Sequence, residues 1–468
     1  MTVKNTFLKL YRADTSRAQL ALLCLLLVLL PFELYPRAEL FNISIRLSQV
    51  VGLLLIFFSI PMIIKNRRDW FSNPWLQLGL FVLVSAASAM FAISRAKGLL
   101  VTGFVAFDFV LAYTVAQTFL LRDSELFKKL ILALGLVVAA FCLYQFVGDT
   151  LGLGSGYTLL DIRYTKLVFG FPRVQGFSLE PLYLASYLLI PFCLALVSYI
   201  FSEKKYQAVL AFVFLSVIWL TVARGAFLAV LTILFGLAVL MVWQRRWRAL
   251  IVTVFICGAS LSVVFGMIWA SGNFAKQLPA DFVAPGSIQT NIPKTGINAQ
   301  GNTERLLDHT TDFSSESSVT DRVLSAKAAI LTAQSNPLIG VGPGNFGRYV
   351  VKTYPDKFVD TNQIANNEPL EILAEEGIIG LSLILIFVSI LIWRGLHFRI
   401  KPNTKEANIW FFATAAMLVG FVVQWQTFST LYVTHIWVII GIYLAVLKQS
   451  ILAKDLGPVN IFKHKKGK

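Results

Sequence analysis

The chain has 468 residues with a formal net charge of +16, and 57% of its residues are hydrophobic while 14% are charged. Soluble domains carry about 25% charged residues, so this composition excludes an ordinary soluble domain and indicates a polytopic membrane protein. The four cysteines all lie in apolar runs and are widely spaced, which excludes a disulfide framework and a zinc site. Membrane topology and contact with anionic membrane lipids account for the positive charge, so no nucleic acid partner is expected.

Uninterrupted apolar stretches long enough to cross about 30 Å of hydrocarbon predict about twelve transmembrane helices, and therefore an all-α polytopic membrane protein. The predicted division is helices one to nine in residues 1–270, a large extracytoplasmic loop with short helices in 271–367, helices ten to twelve in 368–450 and a basic cytoplasmic tail in 451–468. The spans lie near residues 18–36, 43–64, 75–93, 99–121, 129–147, 181–200, 206–222, 225–243, 249–270, 372–394, 408–427 and 430–448.

Basic residues predict how these helices are oriented. When the spans are threaded from an inside N-terminus, KNRR (65–68), QRRWR (244–248) and FKHKKGK (462–468) all fall on the same side. Lys and Arg in short loops favour the cytoplasmic side, so both termini are expected to be cytoplasmic. The basic leader before the first span is followed by no small-residue cleavage site, so we interpret that span as a helix and not as a signal peptide.

Three polar segments are then expected on the extracytoplasmic side: residues 148–180, TVARGAF (221–227) and the long loop 271–367. Within the long loop, SVTDRVLSAKAAILTAQ (318–334) has helical spacing behind a Ser or Thr cap, which predicts an amphipathic helix over the mouth of the bundle. The polar stretch before it, 285–317, is predicted to be mobile.

The segment NNEPLEILAEEGIIGL (366–381) places four glutamates at the start of a membrane helix. Glu368, Glu371 and Glu375 step by three and four residues and so share one helix face, which predicts a wet side that faces a polar chamber. In the alternative interpretation, one of the two asparagines caps the helix and the carboxylates favour the positive end of the helix dipole.

Arginines in the extracytoplasmic segments supply the opposite charge. Arg173 lies just before the sixth span, Arg224 in the link between spans seven and eight, and Arg322 in the amphipathic helix. An arginine at the hydrocarbon boundary is costly unless it is paired or solvated, and snorkelling to lipid phosphates is the alternative explanation. We expect the three guanidiniums to converge on an outer cavity and to form a clamp for a pyrophosphate.

Several of these stretches resemble the signature of the bacterial O-antigen ligase and O-antigen polymerase superfamily. NPLIGVGPGNF (336–346), followed by NNEPLEILAEEGIIGL, carries most of the resemblance, and TVARGAFLA (221–229) and RVQGFSLEP (173–181) are similar to further stretches of its members. Spans one to five match only in hydropathy. The matching positions are Gly340, Val341, Gly342, Phe346, Asn366, Asn367, Leu370, Leu373, Glu375, Gly377 and Gly380.

The resemblance implies a glycosyltransferase of the second GT-C type in the bacterial inner membrane. Such an enzyme takes a glycan from an undecaprenyl diphosphate carrier at the periplasmic face and joins it to an acceptor glycan. The acceptor is lipid-linked in a polymerase of O-antigen or exopolysaccharide, and it is the lipid A-core in a ligase. No metal or other cofactor is implied, and the sequence has no DxD motif or His/Asp cluster that would hold a cation. A protein that regulates chain length is an implied partner.

One position departs from the ligase pattern. Ligase-type members that this chain resembles carry a histidine, their usual candidate for the base, where this chain has Asn366, and an amide does not accept a proton at neutral pH. The base is then expected at Glu368 or Glu180, with His435 as a weaker candidate, unless Asn366 only orients the acceptor hydroxyl. Asparagine is more usual in polymerase-like relatives, so a polymerase is favoured over a ligase.

Catalytic roles are therefore predicted for Glu180, Asn366 and Glu368. Substrate-binding roles are predicted for Arg173, Arg224, Arg322, Asn367, Glu371 and Glu375.

Two other functions and one question of local structure remain open. A transporter of polysaccharide or lipid-linked sugars would need ionisable residues along several spans, whereas we find Asp108 in the fourth. A glycosyltransferase of the other GT-C type would use an acid in the first outer loop, where Glu33 and Glu39 occur. The glycines of GVGPGNF predict either a tight connecting turn or an anion-binding nest.

Overall fold

The computed structural model describes residues 3–34, 37–40, 43–275, 317–398, 405–429 and 431–455. The described chain is mostly helical, with a two-stranded antiparallel hairpin near its N-terminal end. The first half contains α1 (Val3–Leu29), β1 (Arg37–Leu40), β2 (Ile43–Arg46), α2 (Leu47–Lys65), α3 (Trp75–Phe91), α4 (Arg95–Thr118), α5 (Ser124–Thr150), α6 (Ser155–Thr158) and α7 (Lys166–Phe169). The second half contains α8 (Pro181–Ser202), α9 (Lys205–Leu220), α10 (Arg224–Trp243), α11 (Trp247–Ala275), α12 (Ser317–Ser335), α13 (Phe346–Thr353), α14 (Glu368–Leu396), α15 (Lys405–Gln424) and α16 (Thr434–Asp455).

Eight helices among the described residues are long and apolar enough to cross a membrane. Four shorter apolar segments, Ser16–Leu29, Trp75–Phe91, Lys205–Leu220 and Thr434–Ser450, lie where spans one, three, seven and twelve are predicted. The prediction of an all-α polytopic membrane protein is therefore confirmed, apart from the short hairpin. The number of spans and the second GT-C type stay predictions.

The first two spans differ from the prediction at their facing ends. Helix α1 ends at Leu29, before Pro31, and the predicted span continued to residue 36. Proline cannot donate the backbone hydrogen bond that continues a helix, so Pro31 ends the span early. The chain then forms the hairpin, in which Arg37 pairs with Arg46, and α2 begins at Leu47.

In the long loop, the structure has helix α12 where the sequence predicts the amphipathic helix. The mobility predicted for 285–317 concerns residues that lie almost entirely outside the described ranges, as does most of the predicted tail.

Helix α8 is the centre of the bundle. Its side chains are buried on every side from Leu184 to Ile200, as expected for a helix that is apolar all round. It packs against α9 and α15, while α16 packs against α4 and α14 packs against α3.

Contacts between helix ends and loops distinguish the two ends of the bundle. At the end that we call the basic end, Lys448 Nζ lies 3.0 Å from Asp69 Oδ2, and the guanidinium of Arg394 binds the carbonyl of Asn73. The opposite end, the cavity end, carries residues 30–34, 37–40, 43–46, 92–94, 151–180, 221–223, 336–367, 425–429 and 431–433.

Candidate active site

Helix α14 is broken at Gly377, where the backbone adopts φ 69° and ψ −169°. This conformation is accessible to glycine and strongly disfavoured for residues with a Cβ. A Cβ at this position would also overlap the backbone carbonyl of Leu338. The break divides α14 into residues 368–376 and 378–396, and the loop residues Leu338 and Ile339 lie against it.

The glycine-rich stretch NPLIGVGPGNF (336–346) completes the broken helix. A break leaves backbone groups without helical partners, and a buried group without a partner is costly. The loop supplies the partners: the N–H groups of Val341 and Gly342 donate to the carbonyls of Ala374 (3.0 Å) and Glu375 (2.9 Å), and the N–H of Ile378 donates to the carbonyl of Pro337 (2.9 Å). The two main motifs of the sequence therefore form one structural unit, which we call the kink unit.

Glu368, Glu371 and Glu375 hold backbone amides of the loops around the kink unit. The donors are the N–H groups of Gly344 (2.7 Å) and Phe346 (3.0 Å) for Glu375, the N–H of Ala365 (3.0 Å) and the hydroxyl of Ser429 for Glu371, and the N–H of Leu431 (2.9 Å) for Glu368. The three residues are 2–6% exposed. The prediction that this helix face is exposed to water is therefore wrong, because these loops cover it.

Asn367 is the N-cap of α14. Its Oδ1 accepts the N–H of Leu370 at 3.1 Å, and its Nδ2 donates to the carbonyl of Gln426 at 3.1 Å. This matches the alternative interpretation, in which an asparagine caps the helix. Asn366, one residue earlier, has φ 55°, a left-handed conformation that asparagine tolerates better than most residues.

A cavity of about 250 Å³ lies beside this N-terminus and brings together residues from five separate stretches of the chain. Arg173, Arg224 and Arg322 line it together with Glu180 and Asn366, and all five are half-buried. The other lining residues are Tyr164, Pro181, Leu182, Val222, Ala223, Gly225, Ile364, Thr427 and Phe428. The three arginines thus share one hollow, while Glu368, Glu371, Glu375 and Asn367 are not among its lining residues.

Helix N-termini add positive potential to the cavity. Helix α8 begins at Pro181 after its N-cap Glu180, and α10 begins at Arg224 after its N-cap Ala223. These residues line the cavity, so the positive ends of both helix dipoles meet there. Arginines and helix N-termini together favour a bound anion.

The sequence motif Arg-Gly at 224–225 has a direct steric reason. A Cβ at Gly225 would overlap the hydroxyl of Thr427. Glycine therefore lets the first turn of α10 approach residues 425–428 closely, which places Arg224 at the wall of the cavity.

Tyr164 contributes to the cavity and was not singled out in the sequence. The guanidinium carbon of Arg173 lies 5.7 Å from the centre of its ring, within the range of a cation–π contact. Burial, reinforced by the charge of Glu180, raises the pKa of Tyr164 to about 12. Its neighbours in DIRYTK form no recognisable pattern, so the sequence carried no signal for it. For Thr427 and Phe428 the sequence carried a weak signal, which is the polar run QWQTFST at the end of the eleventh predicted span.

The other ionisable candidates lie elsewhere. His435 is buried, and its Nε2 lies 3.1 Å from the hydroxyl of Ser186, so it is a satisfied core residue. Asp108 is also buried, 2% exposed. Glu33 forms an ion pair with Arg46 at 3.5 Å. None of these acids or this histidine lines the cavity.

Two larger recesses differ from the cavity in chemistry. One of about 900 Å³ lies between α14, α15 and α16, and one of about 420 Å³ lies beside residues 336–341. Their lining includes no Arg, Lys, Asp, Glu or His among the residues that the structure describes. Within the same part of the chain, no group of three or more His, Cys, Asp or Glu is placed to hold a metal ion, and metal independence stays a prediction.

Comparison with known proteins gives one family. Residues 208–385 match a family model described as O-antigen ligase (Wzy_C). The matched region contains Arg224, Arg322, Asn366 and the kink unit, whereas Arg173 and Glu180 precede it. No curated protein matches the chain.

Proposed function

The chain belongs to the O-antigen ligase and polymerase superfamily, and from this membership we propose that it transfers a glycan from an undecaprenyl diphosphate carrier to an acceptor sugar. It is a membrane enzyme of O-antigen or polysaccharide assembly. We place the reaction in the arginine-lined cavity, at the periplasmic face of a bacterial inner membrane, and we propose that it polymerises repeat units.

One observation carries the proposal: Arg173, Arg224 and Arg322, far apart in the sequence, line the same small cavity. Three guanidiniums around one small cavity give it a positive potential that attracts an anion. Arginine presents a planar fork that suits the paired oxygens of a diphosphate better than a point charge does. The two helix N-termini at the cavity act in the same direction.

The proposed chemistry is a displacement at the anomeric carbon of the donor sugar. The acceptor hydroxyl oxygen forms a bond to that carbon while the bond from the carbon to the diphosphate oxygen breaks. Negative charge grows on the departing diphosphate, and the arginines stabilise it electrostatically. Because only interactions that strengthen in the transition state accelerate the step, the arginines act chiefly on the leaving group.

Glu180 is the better placed of the two candidate bases. It lines the cavity and is half-buried, whereas the carboxylate of Glu368 accepts a backbone hydrogen bond away from the cavity lining. In our proposal Glu180 takes the proton of the acceptor hydroxyl. The amide of Asn366 orients that hydroxyl without accepting its proton.

The distribution of basic residues supports the periplasmic placement. Loops at the basic end carry Arg67, Arg68, Lys204, Arg245 and Arg246. Short loops rich in Lys and Arg remain in the cytoplasm, so the cavity end faces the opposite side.

A ligase is the second candidate. The family model is described as O-antigen ligase, which favours transfer to the lipid A-core. Asn366 at the position of the ligase histidine favours a polymerase.

Deletion of the gene in its host separates these functions. Loss of a polymerase leaves single repeat units on the lipid carrier, which is the expected result. Loss of a ligase leaves long polymer that is not attached, and loss of a transporter traps the units inside the cell. Complementation with the wild-type chain and with Glu203→Gln provides the control. Glu203 is exposed and follows the last residue of α8, at the basic end of the bundle.

A further inference from the structure

We infer that Arg173 is a positioning residue: it holds the turn between α9 and α10 in the shape that presents Arg224 to the cavity. The inference rests on the proposed function, since it divides the work among the arginines of that site. Arg224 contacts the anion, and Arg173 acts largely through Arg224.

The turn itself is strained. Val222 has φ 48°, a left-handed conformation. A β-branched residue is a true outlier there, because its side chain crowds the backbone. Thr221, Val222 and Ala223 are at most 5% exposed, so water does not relieve the turn. A conformation of this kind persists only when its surroundings impose it.

Arg173 supplies that constraint. Its Nε donates to the carbonyl of Thr221 at 3.2 Å, and its Nη2 donates to the carbonyl of Val222 at 3.2 Å. Two neighbouring N–H groups of one planar fork thus bind two successive carbonyls. A lysine has a single ammonium group on a flexible stem and cannot reproduce this geometry.

Arg173 is itself fixed from the other side. Its backbone N–H donates to the carbonyl of Tyr164 at 2.8 Å, and its guanidinium lies against the Tyr164 ring. Arg173 therefore connects the loop 151–180 to the α9–α10 turn, and both its backbone and its guanidinium are held in place.

The turn leads directly into Arg224. The carbonyl of Ala223 accepts the N–H groups of Ala226 at 2.9 Å and Phe227 at 3.1 Å, which starts α10 two residues after Val222. On the opposite side, Gly225 is in close contact with Thr427. The backbone of Arg224 is thus held between Arg173 and Thr427, and a shift of the turn would move its guanidinium.

A double-mutant cycle tests the inference. Arg173→Lys, Val222→Gly and the double variant are compared with wild type by the rate of glycan transfer per mole of folded, purified full-length protein. Glycine adopts a left-handed conformation without strain, so the turn needs less help from the guanidinium in the Val222→Gly background.

We expect Arg173→Lys to lower kcat about 100-fold alone, and less than about 10-fold in the Val222→Gly background. An equal loss in both backgrounds overturns the inference, because it means that Arg173 acts on the substrate directly. Two controls accompany the cycle. Arg224→Lys should lose the same activity in both backgrounds, since its own fork contacts the anion. Arg163→Lys, which alters an exposed arginine paired with Asp161, should keep near-wild-type activity.

Failure of the proposed function is distinguishable. If wild-type protein transfers no glycan from a diphosphate-linked lipid donor, the proposed function fails. Thermal unfolding of the same four proteins then tests whether Arg173 stabilises the turn. A smaller loss of thermal stability from Arg173→Lys in the Val222→Gly background supports Arg173 as the brace of the turn, and an equal loss contradicts it.

Discussion

The cavity and the kink unit lie side by side, and both concentrate charge, but their charged groups are treated in opposite ways. In the kink unit, the carboxylates of Glu368, Glu371 and Glu375 are 2–6% exposed and accept backbone hydrogen bonds. In the cavity, Glu180 and the arginines are half-buried around open space. A buried charge bound to amides is part of the scaffold, and a half-buried charge that faces a hollow is available to a ligand.

The comparison predicts that the kink unit controls folding and that the cavity controls transfer. Variants of both regions test this separation, and the largest effect is expected at Gly377.

Gly377→Ala should cost about 4 kcal/mol or more of unfolding free energy, enough to prevent folding, because the backbone conformation is restricted to glycine and the added Cβ meets a carbonyl. The yield of folded protein and its thermal unfolding measure this effect. Gly236→Ala on α10 is the matched control, since a Cβ there meets nothing within 4 Å, and it should be neutral or slightly stabilising. Equal stability of the two variants would show that the break in α14 is not a requirement of the fold.

Arg224→Lys should lower transfer about 10²–10³-fold while thermal unfolding changes little, since an ammonium keeps the charge but not the fork. Initial rates with a lipid-linked donor measure it. Arg248→Lys, an exposed arginine at the basic end, should behave as wild type. Near-normal polymer length in the Arg224→Lys variant would contradict the clamp.

Glu180→Gln should reduce kcat about 100-fold, because the isosteric amide cannot take the acceptor proton. Donor binding should change less than kcat, since the arginines remain. Glu203→Gln, at the other end of α8, serves as the control. A wild-type kcat for Glu180→Gln would remove Glu180 as the base and leave the strong leaving group to drive the reaction.

Glu375→Gln should show the reverse pattern. The amide NH₂ would face a backbone N–H, leaving a buried donor without an acceptor and destabilising the fold by about 2 kcal/mol. Transfer per mole of folded protein should stay within about threefold of wild type. A loss as large as that of Glu180→Gln, without loss of stability, would place Glu375 in the substrate site.

The sequence predicted well what depends on local chemistry. Hydropathy located the helices, because a bilayer requires long apolar stretches. The cost of an arginine at the hydrocarbon boundary marked Arg173, Arg224 and Arg322 as candidates. The predicted first span is too long because the apolar residues around Pro31 counted for more than the proline that ends the helix.

Tertiary context decided the rest. The spacing of Glu368, Glu371 and Glu375 correctly placed them on related faces, but spacing says nothing about which loop covers a face. The break at Gly377 leaves no trace in the helical pattern, since the backbone angles of a single residue differ. That Arg173, Arg224 and Arg322 meet, and that Tyr164 joins them, depends on distances across the fold that one sequence does not contain.

The central claim is that the arginine-lined cavity is a diphosphate site, in which Arg224 and Arg322 contact the anion and Arg173 positions Arg224. Its most direct test is the binding of farnesyl diphosphate to purified protein, measured by titration calorimetry for wild type, Arg322→Lys and Arg248→Lys. Saturable binding that Arg322→Lys weakens at least about tenfold and that Arg248→Lys leaves unchanged is the predicted result. Equal affinity in all three proteins would contradict the account.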